Sequence, residues 1–267
     1  MVRWISLYAR LAWASARSMY QYRAAYGLTV LATALAEGGV LLLISVVVAC
    51  FRGVAGWEWP EIAVLYGMGL TAFAVLRLLG AALDHFDDRV VSGRFDSFLT
   101  RPVSPLLLTM ADGFNPFTAL TLVTGVAMLV FGLRVAEIPI GVGDVAFLVA
   151  AIGGATMIML STYLVVATVA FWTTRSAKLT DFFSAAGREF VNYPLSIYPL
   201  AVRMLLTFAI PLAFTTYYPA QYVLGRHEFL GLPFWLQFAT PAVGLGCWLL
   251  ALSFWRLGLR HYRSTGS

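Results

Sequence analysis

Residues 84–105 read Asp-His-Phe-Asp-Asp-Arg-Val-Val-Ser-Gly-Arg-Phe-Asp-Ser-Phe-Leu-Thr-Arg-Pro-Val-Ser-Pro. They gather four acids, three arginines and a histidine in a chain that is 60% apolar and only 12% charged. Two chemistries are open to such a cluster. His85 beside Asp84, Asp87 and Asp88 offers the ligand types of a carboxylate metal site, but the solvated end of a helix uses the same residues and is favoured. The other chemistry is recognition. Gly93 is a natural helix terminator, because a residue without Cβ enters the left-handed region cheaply. Phe95, Phe98 and Leu99 then recur at i, i+3, i+4 and share one face of a short helix. Pro102 and Pro105 end that helix and start the next element. A greasy face held in water, with no core of its own, needs a groove to fill.

Enzyme chemistry is hard to place. Lys178, the sole lysine, is followed by Leu179, so no G-x-x-x-x-G-K-[ST] phosphate loop exists. H-E-x-x-H, G-x-S-x-G and C-x-x-C are absent as well. His85, His227 and His261 fall in separate loops or ends, and Cys50 and Cys247 stand alone. No catalytic, cofactor-binding or metal residue is assigned, and the chain is not expected to be an enzyme.

Charges inside apolar runs carry more information, because each is costly unless paired or lining a wet cavity. Glu37 and Arg203 each lie nine residues into a run from the same side, a depth of about 13 Å at helical rise. They either pair or face separate cavities. Arg77, near the end of its run, can snorkel. Asp112 sits in Asp112-Gly-Phe-Asn-Pro116, whose Gly and Pro predict a kinked or late-starting helix.

The elements that must position these residues follow from the composition. A soluble domain of this length carries about 25% charge, so the chain is expected to be an all-α integral membrane protein forming one domain over residues 1–267. Runs at 28–51, 60–83, 106–133, 145–172, 194–217 and 234–256 exceed the roughly 20 residues that cross about 30 Å of hydrocarbon. These are six expected transmembrane helices. Residues 1–27 precede them as an interfacial helix. Arg3, Arg10 and Arg17 line one face, and Trp4, Tyr8, Leu11, Met19 and Tyr22 line the other. Thirteen of the 18 basic residues fall on one side of this topology, three on the other and two within spans. By the positive-inside rule both termini and the 84–105 loop are cytoplasmic, in the plasma (inner) membrane of the cell. The basic excess thus reads as topology, with no nucleic-acid partner. The 173–192 loop is a second inward-facing candidate for partner contact. Residues 217–233 lie outside, as a plain turn or as a segment re-entering the outer leaflet.

At this point the chain resembles a known family. Six spans, an N-terminal interfacial helix and the loop Gly93-Arg-Phe-Asp-Ser-Phe-Leu-Thr-Arg-Pro102 are similar to the type-2, exporter-class ABC transporter permeases. A second block agrees: Tyr193-Pro-Leu-Ser-Ile-Tyr-Pro, then Arg203, then Leu206-Thr-Phe-Ala-Ile-Pro-Leu-Ala-Phe with Tyr218-Pro-Ala following. The resemblance implies a permease subunit that moves a substrate outward by alternating access. ATP and Mg are then bound by a separate ATPase, in two copies, beneath two permease chains, identical or related. It also implies that Gly93, Arg94, Phe95, Asp96, Phe98, Leu99, Arg101 and Pro102 form the ATPase-coupling contact, and that a segment after the fifth span re-enters. Two alternatives stay open: a secondary transporter using Glu37 and Arg203, and a non-transporting membrane assembly protein. No residue selects a substrate.

Overall fold

The computed structural model describes residues 56–115, 118–173, 194–226 and 233–262, with isolated helical positions between 27 and 46. The expected interfacial helix over 1–27, Glu37, most of the span over 28–51 and almost all of the 173–192 loop lie outside the described residues. Regular structure among the described residues is helical. In order they are α1 (Trp59–Gly80), α2 (Phe86–Val91), α3 (Asp96–Leu99), α4 (Pro105–Asp112), α5 (Thr118–Val135), α6 (Val142–Thr173), α7 (Leu200–Met204), α8 (Tyr217–Val223) and α9 (Thr240–His261).

Local chemistry sets the helix starts. The Glu58 and Glu61 side chains form a reciprocal capping box at the head of α1, with Pro60 in the first turn. Pro105 opens α4 and Pro241 lies in the first turn of α9 in the same way. The α1 helix is apolar nearly all round and is buried from Ile62 to Ala72. That makes it the central helix of the bundle. It packs against α5 and α6, and α6 packs along α9. Small residues let the backbones touch, as membrane helices require when lipid offers no hydrophobic drive. A Cβ on Gly154 of α6 would stand 2.6 Å from the Thr240 carbonyl oxygen at the head of α9. Buried hydroxyls return to carbonyls one turn back, as in Thr71 to Gly67 at 2.6 Å and Thr168 to Leu164 at 2.6 Å, so no polar group faces hydrocarbon unpaired there.

Among the described residues four stretches are long and apolar enough to cross a membrane: Trp59–Val91, Thr118–Val135, Val142–Thr173 and Thr240–His261. Among the described residues the run over 234–256 opens with a separate 3-10 turn, Phe234–Phe238, before α9, and two expected spans are broken internally. The run over 106–133 is two helices, because α4 stops at Gly113 and α5 begins at Thr118, the break that Gly113 and Pro116 predict. The run over 194–217 is broken more severely. After α7 the chain takes a π turn over Leu205–Ala209, becomes extended at Ile210 and restarts at Leu212. Leu200–Ala209 and Leu212–Val223 therefore meet at 81°. Pro211 is the cause: it has no N–H to donate and it pushes the residue before it out of the helical region.

Candidate functional site

The 84–105 segment is built from the end of α1 outward. The Arg77 guanidinium closes on the Asp84 carboxylate across the 3-10 turn Ala81–Leu83, so it is paired within the chain and does not simply snorkel to water. Gly93 takes φ +68° after α2, the left-handed conformation that its lack of a side chain predicts. The turn is then locked by backbone bonds, Phe95 N–H to Arg89 carbonyl at 3.1 Å and Asp96 N–H to Gly93 carbonyl at 3.1 Å. Arg89 holds the segment from behind. Its Nη2 and Nε reach Asp112 at 3.0 and 3.1 Å, and its Nη1 reaches the Ala82 and His85 carbonyls at 3.0 and 3.2 Å. One guanidinium thereby ties the end of α1, the start of α2 and the end of α4 together.

Here the structure corrects an expectation. Phe95, expected on a water-facing docking face, has 0% exposure, and Phe98 is buried with it; Leu99 alone of the three is exposed, at 41%. The physical reason is a core that the loop does have. The end of α6 and the last two turns of α9 deliver Phe171, Trp255 and, just past α9, Tyr262 to it. Phe95 meets Phe86 edge-on at 5.1 Å, Phe171 at 5.4 Å and Trp255 at 6.1 Å. Edge-to-face aromatic contacts of this kind add to the burial energy of each ring.

Of the expected coupling residues the loop leaves Arg94, Leu99, Arg101 and Pro102 exposed, beside Val91, His85, Asp88 and the polar Ser92, Ser97, Thr100 and Ser104. The Arg101 guanidinium lies 6.0 Å from the Phe98 ring centroid, which orients it over the buried aromatic. Asp96 accepts the Tyr262 hydroxyl at 2.8 Å. Burial, then the hydrogen bond to Asp96 and its negative charge, push the Tyr262 phenol up to about 12. The periodicity Trp255, Gly258, Leu259, Tyr262 on one face of the last helix is the sequence signal that could have pointed to this cluster.

Arg203 donates its Nε to the Tyr198 carbonyl at 2.6 Å and its Nη2 to the Ser196 carbonyl. The residues before α7 thus supply acceptors for this charge. Its expected partner Glu37 is outside the described residues. At the end of the bundle away from the loop, Arg226 forms an ion pair with Glu61 at 2.6 Å and stands 4.8 Å from the Trp57 ring centroid. Among the described residues no group of three or more His, Cys, Asp and Glu has the arrangement of a metal site.

Comparison with known families gives a match over most of the chain. Residues 34–266 match the family described as ABC-2 family transporter protein, so the chain belongs to that family. Comparisons with curated proteins and with solved structures find no match. The match supports assignment as an ABC-2 type permease, a multi-pass membrane subunit of an ABC transporter.

Proposed function

We propose that this member of the ABC-2 transporter family works as the membrane half of an exporter, driven by a separate ATPase that docks on residues 84–105. The family match over residues 34–266 is the observation that carries this reading. In it, two permease chains and two ATPase copies assemble, ATP and Mg are bound by the ATPase, and alternating access moves the substrate outward. Both termini and the 84–105 loop face the cytoplasm of a cell whose plasma membrane holds the complex. The segment over 217–225, after the fifth span, re-enters the membrane from outside.

The coupling contact is drawn by the exposed part of the loop. Leu99 and Val91 supply apolar area and Arg94 and Arg101 flank it with positive charge, which suits an apolar notch with an acidic rim on the ATPase. Phe95, Phe98 and Gly93 shape that surface from beneath, and Asp96 and Pro102 hold its edges. A few central residues carry most of the energy of such a contact, and arginines such as Arg94 and Arg101 are enriched among them.

Co-expression of the tagged chain with its genomic neighbours tests the reading. An ABC ATPase is expected to co-purify, and Leu99→Asp is expected to release it while the chain still inserts and melts normally. Recovery of the wild-type chain alone from membranes that contain the expressed ATPase would sink the proposal.

A further inference from the structure

The last helix ends on the loop. Tyr262, the first residue past α9, gives its hydroxyl hydrogen to Asp96 Oδ1 at 2.8 Å and sets its ring edge-on to Phe95 at 5.3 Å. Trp255, two turns earlier, meets Phe86 at 5.2 Å and Phe171 at 5.1 Å. Between them Gly258 brings α9 onto α6: a Cβ there would stand 2.6 Å from Thr168 Cγ2 and 2.7 Å from Phe171 Cδ2. Beyond the Arg77–Asp84 pair at its first residue, the loop is fastened in two further places. Arg89 and Asp112 hold it to α4 at 3.0 Å, and the aromatic cluster with the Tyr262–Asp96 bond holds it to α6 and α9.

The two fastenings differ in what they transmit. Arg89 binds elements that are neighbours in the chain, all of them within the loop or at its edges. The aromatic cluster joins the loop to the two helices that pack along each other through the bundle. Close-packed aromatic side chains have little room to yield, so a displacement of one is passed to the next. The directional hydrogen bond to a carboxylate then fixes the sense in which α3 and the end of α9 turn together.

From this arrangement we infer that Tyr262 is a positioning residue for coupling: it makes the loop and the ends of α6 and α9 move as one body. The inference rests on the reading of residues 84–105 as the ATPase contact. It gives the last helix a part in the stroke, where a loop fastened only by Arg89 would move α1 and α4 alone.

The test uses the complete permease–ATPase complex in liposomes, with Cys50 and Cys247 replaced by Ser. Asp96→Cys with Tyr262→Cys is expected to hydrolyse ATP roughly tenfold more slowly, the scale of one hydrogen bond to a charged group, while the ATPase still co-purifies. Bridging the two cysteines with a short bis-methanethiosulfonate linker restores the rate, and reducing the bridge removes it again. Tyr262→Phe, which keeps the ring, is expected to fall between these limits and to melt at the wild-type temperature. Full activity without the bridge overturns the inference, and so does a bridge that blocks hydrolysis, since the two sites must then separate during turnover. Loss of the ATPase from the variants alone assigns Tyr262 to assembly and also overturns it. A wild-type chain that retains no ATPase is a different failure, because it removes the proposed function itself and this inference along with it.

Discussion

The two ends of the α1 helix combine rings and ion pairs in different proportions, with Arg77–Asp84 and Arg89–Asp112 beside a large aromatic cluster at one end and Trp57 beside Arg226 at the other. At its end, around the loop, Phe86, Phe95, Phe171 and Trp255 interlock and are all buried. At its start, Arg226 bonds Glu61 at 2.6 and 2.7 Å and the Gly56 carbonyl at 2.6 Å, and Tyr222 donates to Asp144 at 3.2 Å. A cleft of about 270 Å³ lined by Glu58, Glu61 and Glu137 opens beside that ion pair. Separating the aromatic end exposes rings worth about 1.5–3 kcal/mol each in burial. Separating the polar end trades hydrogen bonds to charged groups within the protein for hydrogen bonds to water, at a net cost of about 1.5–3 kcal/mol each. The two ends thus resist separation by comparable amounts per contact and differ in how salt and pH act on them.

The largest effect expected from this contrast is at Phe95. Phe95→Ala removes a wholly buried ring from the centre of the cluster, and such truncations cost about 4 kcal/mol. The variant should melt well below the wild type in detergent. Leu99→Ala, at an exposed position, should change stability by no more than about 0.5 kcal/mol. If Phe95→Ala melted like the wild type yet lost the ATPase, the aromatic end would be a docking surface after all and the comparison would collapse.

A smaller effect belongs to the polar end. The Glu61 and Arg226 side chains are 15% and 22% exposed, buried enough that a lone charge left behind is poorly solvated. Glu61→Gln or Arg226→Gln should each cost about 2 kcal/mol, and the double variant should recover part of that loss. High salt should screen this pair in the wild type and leave the ring contacts of the aromatic cluster unaffected. Thermal melts of the four proteins at low and high salt give the answer. Strict additivity of the two single changes would mean that the pair does not hold the segment over 217–226 to α1.

How much of this was legible in the sequence depended on range. The turn at Gly93, the helix start at Pro105 and the break at Gly113–Pro116 follow from local backbone preferences, which a sequence displays directly. The burial of Phe95 does not, because Phe171 and Trp255 are distant in the chain. Apolar spacing says that a face exists without saying what covers it. Charges show the same split. Arg77 reads as a snorkelling residue until the turn at Ala81–Leu83 carries Asp84 back to it. Arg226 counts toward topology, yet its pairing with Glu61 is invisible without the fold. The bend at Pro211 was half legible: a proline forecasts a broken helix, whereas the 81° angle comes from how the two pieces pack.

The smallest effect sits at Tyr262, and pH isolates it. Burial first, then the Asp96 hydrogen bond and charge, raise this phenol from its ordinary 10.0 to about 12. Ionisation would set a phenolate against the Asp96 carboxylate, so the folded chain keeps the proton over a pH range where the unfolded chain has released it. With more protons bound in the folded state, stability falls as pH rises. The contribution is complete below pH 10, declines as pH climbs, and is lost once pH passes about 12. Other tyrosines titrate in the same range, so the informative quantity is the difference in melting temperature between wild type and Tyr262→Phe. That difference should favour the wild type, or vanish, at neutral pH and swing toward Phe between pH 10 and 12. Because the ring is only partly buried the swing should be slight, and Asp96→Asn should shrink it further by removing the charge. A difference that holds constant across the range would show that the hydroxyl does not depend on Asp96, leaving the loop end fastened by its aromatic rings alone.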